Sequence, residues 1–150
     1  MNSPRLKELR IKELLRVSLA IALVIVGTTH FLTPIPYVRI VPGMLPHPLG
    51  LVYLSGFFEI LGGLGLLIPW VSQAAAWGLI ALFIAVFPAN INMAVNAIAI
   101  EGIPHIPALY WARLPFQAVL IAWAWWYTRE PQAQPGANQF QKLTDPNTAK

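Results

Sequence analysis

Four apolar runs, at residues 14–33, 49–68, 72–95 and 108–127, constrain this chain more than any other feature. Each is about 20 residues long, and at about 1.5 Å per residue that length crosses a hydrocarbon core of ~30 Å. Membrane strands need only about 10 alternating residues, so the runs predict helices. The expected fold class is all-α, a bundle of four transmembrane helices. Composition supports it: 57% of residues are hydrophobic and 11% charged, with a mean hydropathy of +0.59, whereas a soluble domain carries about 25% charged residues. The charges also gather at the two ends, leaving too few to cover a water-facing surface.

Proline punctuates the runs. Pro34 and Pro36 end the first and Pro69 the second, since neither a missing N–H nor the ring clash lets a helix continue. Three parts follow: a basic N-terminal segment over residues 1–13, a membrane domain over 14–127, and a cytoplasmic tail over 128–150. The tail is rich in Gln, Pro, Asn and Ala without apolar period, and is expected to be disordered. Residues 37–48, with Pro42, Pro46 and Pro48, are expected to form a stiff outer loop with little regular structure. A cleaved leader is the other reading of the N-terminus. Ala20-Ile21-Ala22 has the small-x-small pattern, but it falls only a few residues into the first run, so an uncleaved span is expected.

Loop charge orients the spans. Arg5, Lys7, Arg10, Lys12 and Arg16 surround the start of the first run and Arg129 follows the fourth. The outer loops hold Arg39 in one and only Glu101 in the other. An excess of Lys/Arg marks the cytoplasmic side, so both ends are expected inside. Trp70, Trp123, Trp125, Trp126 and Tyr127 then fall at the inner boundary, and Tyr37, Tyr53, Tyr110 and Trp111 at the outer one. The net charge of +4 forms no stripe that would suit nucleic acid; anionic headgroups are the expected partner of the basic N-terminus. Absence of cysteine rules out disulfides and thiolate metal sites within the chain.

Polar side chains within spans are the informative ones, because lipid penalises them. They are His30, Glu59, Asn90, Asn92, Arg113 and Gln117, all at the midplane or in the outer half. Ser55, Glu59 and Gly63 share a helix face flanked by Gly56 and Gly62, a small-residue stripe that lets backbones approach. Ala74, Gly78, Ala81, Ala85 and Asn92 form a second small stripe at 100° per residue; Asn90 would face the other way on a straight helix, an inference that Pro88 spoils because it can kink the segment. Arg113 and Gln117 are four apart and share a face. Pro88 frees the carbonyl of Ile84, and Pro115 that of Trp111. The simplest arrangement turns these faces inward around one outward-open pocket, with Glu59 paired to Arg113.

Each reading has a structural counterpart. The Glu59–Arg113 pair serves equally as a pin between helices; His30 as a hydrogen-bonding residue at a helix end; Asn90 and Asn92 as interhelical hydrogen bonds. The three histidines, His30, His47 and His105, lie on one side, but no spacing supports a zinc or copper site, so no metal is expected. Haem needs axial ligands on facing spans, and His30 is the one histidine within a span. No nucleophile triad, phosphate loop or zinc motif is present.

Gly27-Thr-Thr-His30-Phe31, Val41-Pro42 and Leu45-Pro-His-Pro48 resemble the opening of the DoxX-like family of small four-helix membrane proteins. Ser55-Gly56, Glu59-Ile-Leu-Gly-Gly63 and Leu67-Ile-Pro69 are similar to its second helix. Phe87-Pro-Ala-Asn90-Ile-Asn-Met93 and Arg113-Leu-Pro-Phe-Gln117 are similar to its third and fourth. The resemblance covers residues 14–127. It implies His30, Glu59, Asn90, Arg113 and Gln117 as the polar signature, and association with thiosulfate:quinone oxidoreduction or with maturation and assembly of other proteins. A thiol-based role is at odds with a chain lacking cysteine.

The expectation is thus an integral protein of the bacterial inner (cell) membrane, an accessory of a redox or envelope process. A quinone-like or lipid-like ligand would occupy the outward-facing polar pocket. The rivals are a membrane enzyme using Glu59 and His30 for proton chemistry on an apolar substrate, and an assembly subunit without ligand. The reading leans away from an enzyme. No covalent cofactor is expected, and a quinone is the candidate ligand. The expected partners are the bilayer and another membrane protein or redox subunit.

Overall fold

A computed structural model describes residues 4–99 and 106–129, which form five helices and no strand. In chain order they are α1 (Pro4–Leu32), α2 (Pro34–Ile40), α3 (Pro48–Leu66), α4 (Ser72–Val95) and α5 (Pro107–Thr128). Helices α1, α3 and α4 contain stretches long and apolar enough to cross a membrane, Arg10–Leu32, Pro48–Leu66 and Ser72–Val95. Helix α5 has the length, at 22 residues, but carries Arg113, Gln117 and four tryptophans, which lower its hydropathy. The expected tail beyond Arg129 lies outside the described residues, as do Glu101 and His105.

Two local features depart from the sequence reading. Helix α1 starts at Pro4, so the basic residues ahead of residue 14 are the first turns of the same helix rather than a separate segment. Pro34 does end α1, yet the chain bends only at Thr33 and re-enters helix at once. Proline is well suited to a first helical position, where its N–H would be unpaired anyway. What was expected as irregular outer loop therefore begins with α2, seven residues long. Pro48 and Pro107 likewise sit in the first turn of α3 and α5.

The long helices lie side by side, α1 on α3, α3 on α4 and α4 on α5. Glycines set the first two contacts. A Cβ on Gly27 would lie 2.7 Å from the Gly56 carbonyl oxygen, and one on Gly63 would lie 2.9 Å from that of Ala20. Rising numbers in α1 thus meet falling numbers in α3, an antiparallel pair in backbone contact. Gly62 and Gly65 do the same for α4: Cβ atoms there would come within 2.5 Å of Leu79 and 2.7 Å of Ala75. One core cluster joins all four long helices through Leu19, Leu23, Leu66, Leu79, Phe83, Ala124 and Tyr127. A second, at the opposite end, joins α2, α4 and α5 through Ile40, Met93, Ala94 and Tyr110. Tyr110 and Tyr127 are therefore buried core residues, not the boundary anchors their positions suggested.

The small stripe of α4 is a further correction. Ala74, Gly78, Ala81 and Ala85 are exposed, and no neighbour comes within 4 Å of a Cβ built on Gly78. The buried face is instead Ala76, Leu79, Ile80 and Phe83. The reason is complementarity: α3 presents Gly62 and Gly65 at this contact, and Leu79 and Ala75 of α4 fill the space they leave.

At the end carrying Lys12 and Arg129, α1 and α5 are tied together. Tyr127 Oη donates to the Lys12 carbonyl at 3.3 Å, and Lys12 Nζ sits over the rings of Trp126 and Tyr127 at 5.5 and 5.9 Å. Gln73 donates to the Thr128 carbonyl at 2.7 Å, adding α4 to the clasp, and Arg129 stacks on Trp125 at 3.7 Å.

Candidate functional site

His30 lies in the last turn of α1 and Glu59 midway along α3. The Gly27–Gly56 contact brings these backbones so close that a Cβ on Gly56 would meet the His30 Cβ at 2.6 Å. That approach leaves room for the two longer side chains only beside it. His30 Nδ1 and Glu59 Oε2 end 3.2 Å apart, with side chains 9% and 12% exposed. Neither atom completes a hydrogen bond, although both are buried. Buried polar atoms are overwhelmingly hydrogen-bonded, so this pair retains capacity that the described residues do not use.

Tyr37 of α2 fixes the imidazole. Its ring lies 3.9 Å from that of His30, tilted by 42°. Its hydroxyl shares a 2.6 Å hydrogen bond with Thr29. Thr29 gives its own proton to the Val26 carbonyl at 2.6 Å, so Tyr37 is the donor of the pair, since a hydroxyl has one proton to give. Nearby, Phe31 stacks on Tyr53 at 5.4 Å, adding an apolar wall.

The remaining polar residues serve other interfaces. Asn90 of α4 donates to Gln117 of α5, and the Gln117 amide donates in turn to the Phe83 carbonyl. Phe83 lies one residue before the carbonyl that Pro88 deprives of its donor, so Gln117 binds the helix where proline disturbs the ladder. Asn92 points elsewhere: it donates to the Ile40 carbonyl at 2.9 Å, capping α2, and accepts from Asn96 at 2.7 Å. Asn90 and Asn92 thus bond different helices, α5 and α2, and both bonds are interhelical.

The expected Glu59–Arg113 pair is not formed. Glu59 faces α1 and takes His30 as its partner. Arg113 lines an open groove of about 350 Å³ on α4 and α5 with Met93, Leu109, Tyr110, Ala112 and Phe116. Glycines on one face of α3, Gly56 and Gly63, meet α1, and Gly62 and Gly65 meet α4; Glu59 turns to α1, so it does not meet Arg113 on α5 even at matching depth. The six candidates accordingly sit at three interfaces, α1/α3, α4/α5 and α4/α2, with Arg113 in the groove. Sequence reasoning missed Thr29 and the orienting role of Tyr37; Thr29 adjoins His30, but the contact requires α2, which the prolines concealed. Among the described residues no three His, Asp or Glu side chains converge as a metal site would require.

Residues 19–128 match the profile of a family described as Domain of unknown function (DUF8561). No curated protein and no solved structure is detectably similar to the chain.

Proposed function

We propose that this chain, which belongs to the DUF8561 family, is an integral membrane accessory protein of a redox or envelope process that holds a quinone-like head at the His30–Glu59 pair. In this reading α5 is the fourth span, both ends face the cytoplasm, and the membrane is the bacterial inner (cell) membrane. The clasp among Lys12, Thr128 and Arg129 puts the basic residues at one end of the helices, which supports that orientation. The likeness to DoxX-like proteins agrees with a quinone-linked role.

The observation that carries the proposal is the buried, incompletely bonded pair of His30 Nδ1 and Glu59 Oε2. Polar groups within a membrane are costly and mark functional positions. A quinone carbonyl accepts a hydrogen bond from an imidazole N–H, and the hydroxyl of the reduced form donates to a carboxylate. Tyr37, Phe31 and Tyr53 supply aromatic surface beside them. Ligand sites of this kind combine apolar walls with a few convergent polar groups.

A second reading has its own support. Asn90, Gln117 and Asn92 each join two helices, as they would in an assembly subunit that binds no ligand. Titration of a short-chain ubiquinone analogue into full-length protein in nanodiscs separates the two. Under the ligand reading, His30→Ala and Glu59→Ala weaken binding at least tenfold while helical content is retained. Equal binding by all three proteins, or none by the parent, would leave the assembly reading in front.

A further inference from the structure

We infer that the Arg113 groove is a binding site for the anionic headgroup of a membrane lipid, separate from the His30–Glu59 pair and resting on the membrane reading above. The groove holds about 350 Å³. Its floor is Met93 and Tyr110, both buried, and its rim is Leu109, Ala112 and Phe116, all exposed. Its walls are therefore mostly carbon, and Arg113 is the one charged group in the lining.

Arg113 makes no hydrogen bond or ion pair with any described residue. Three cations at the opposite end of the bundle do have partners: Arg16 bonds Glu13 at 2.7 Å, Lys12 lies over two aromatic rings, and Arg129 stacks on Trp125. A guanidinium inside a span without a counter-ion among the described residues is unfavourable, and a lipid anion would complete the site. The depth suits a headgroup. Arg113 lies six residues into α5 from Pro107, about 9 Å at 1.5 Å per residue, and a helical side chain leans toward its N-terminus. The guanidinium thus reaches the outer edge of the hydrocarbon region, where lipid phosphates sit.

Two features argue for a lipid over a free anion. The carbon-lined groove would be wasted on inorganic phosphate but accommodates an acyl segment. The exposed Leu109 and Phe116 border the groove on the same helix face as Arg113, so bound chains would merge with the surrounding bilayer. The planar fork of arginine matches two phosphate oxygens at once, which lysine cannot do.

The test is native mass spectrometry of full-length protein reconstituted in phosphatidylcholine vesicles containing a minority of phosphatidylglycerol. The parent protein should retain phosphatidylglycerol in preference to phosphatidylcholine. Arg113→Gln should lose that preference at least tenfold, and Arg113→Lys, which keeps the charge and tolerates the fold, should fall between. His30→Ala should retain the lipid as the parent does, so loss of the quinone site and loss of this site are read separately. A parent with no preference, or Arg113→Gln indistinguishable from it, overturns the proposal. Displacement by excess inorganic phosphate overturns the lipid as the source of the anion. Failure of the parent to insert into vesicles at all would fall on the membrane reading itself.

Discussion

Gly56 stands where the His30 Cβ passes: a methyl group added to Gly56 would lie 2.6 Å from it and 2.8 Å from the Gly27 carbonyl oxygen. Both neighbours are parts of the helix itself, backbone or the first side-chain atom, so no rotamer change can relieve the clash. The helices must separate. Overpacking of this kind costs about 1–3 kcal/mol. Gly56→Ala should therefore lower the melting temperature in detergent, and it should also move His30 away from Glu59. A control at Gly78, where nothing lies within 4 Å, should tolerate alanine. A Gly56→Ala protein as stable as the parent would show that α1 and α3 do not pack through these glycines.

The His30–Glu59 distance of 3.2 Å predicts energetic coupling between the two. Removing one partner leaves a buried polar group alone, at about 1–3 kcal/mol. Removing both should cost less than the sum, with a coupling of roughly 0.5–3 kcal/mol in a double-mutant cycle. The cycle is read from melting of His30→Leu, Glu59→Gln and the double variant. The same cycle between Glu59 and Arg113 should be additive, because the structure places them at separate interfaces. Additivity in the first cycle with coupling in the second would reverse the assignment.

Gln117 and Asn92 make hydrogen bonds of unequal consequence. Gln117 is 3% exposed and bonds both Asn90 and the Phe83 carbonyl. Asn92 is half-buried, and its contact to another helix is the Ile40 carbonyl. Single interhelical bonds in membranes are worth about 0.6 kcal/mol on average. Gln117→Leu should thus cost about 1–3 kcal/mol, since two partners are orphaned, and Asn92→Leu about 0.5–1.5 kcal/mol. Hydrogen exchange should localise the second effect to α2. A larger loss from Asn92→Leu than from Gln117→Leu would contradict this ranking.

Ala97 offers a gain. Helix α4 ends in a Schellman arrangement: Ile98 N donates to the Met93 carbonyl at 3.1 Å, which places Ala97 at φ 47°. The left-handed region costs a residue with a Cβ about 1–2 kcal/mol, while glycine loses about 0.4–1 kcal/mol more in chain entropy on folding. Ala97→Gly should stabilise by about 0.5–1 kcal/mol, read as a higher melting temperature. A lower one would mean that this helix end does not hold the left-handed turn.

Much of the fold was legible because length and apolarity alone dictate long helices. Their azimuth was not. On α4 the small residues Ala74, Gly78, Ala81 and Ala85 read as a packing face, yet Leu79 points inward because Gly62 of α3 supplies the space for it. Pro34 and Pro36 read as terminators, which hid α2 and with it the contact of Tyr37 on His30. The depth of His30 and Glu59 could be counted along the chain, but their pairing depended on which neighbour α3 presents to α1. Pro88 left the direction of Asn90 open in the sequence, and the structure turns it to Gln117 of α5 while Asn92 bonds the Ile40 carbonyl of α2.

The central claim is that the His30–Glu59 pair completes its bonding with an apolar, oxygen-headed molecule from the membrane. Native mass spectrometry of gently extracted full-length protein tests it most directly. The account predicts an adduct with the mass of a quinone on the parent, absent from both His30→Ala and Glu59→Ala proteins that melt as folded helices. A parent that flies without such an adduct and takes up none from a quinone-supplemented membrane, or an adduct that persists in both variants, would contradict it.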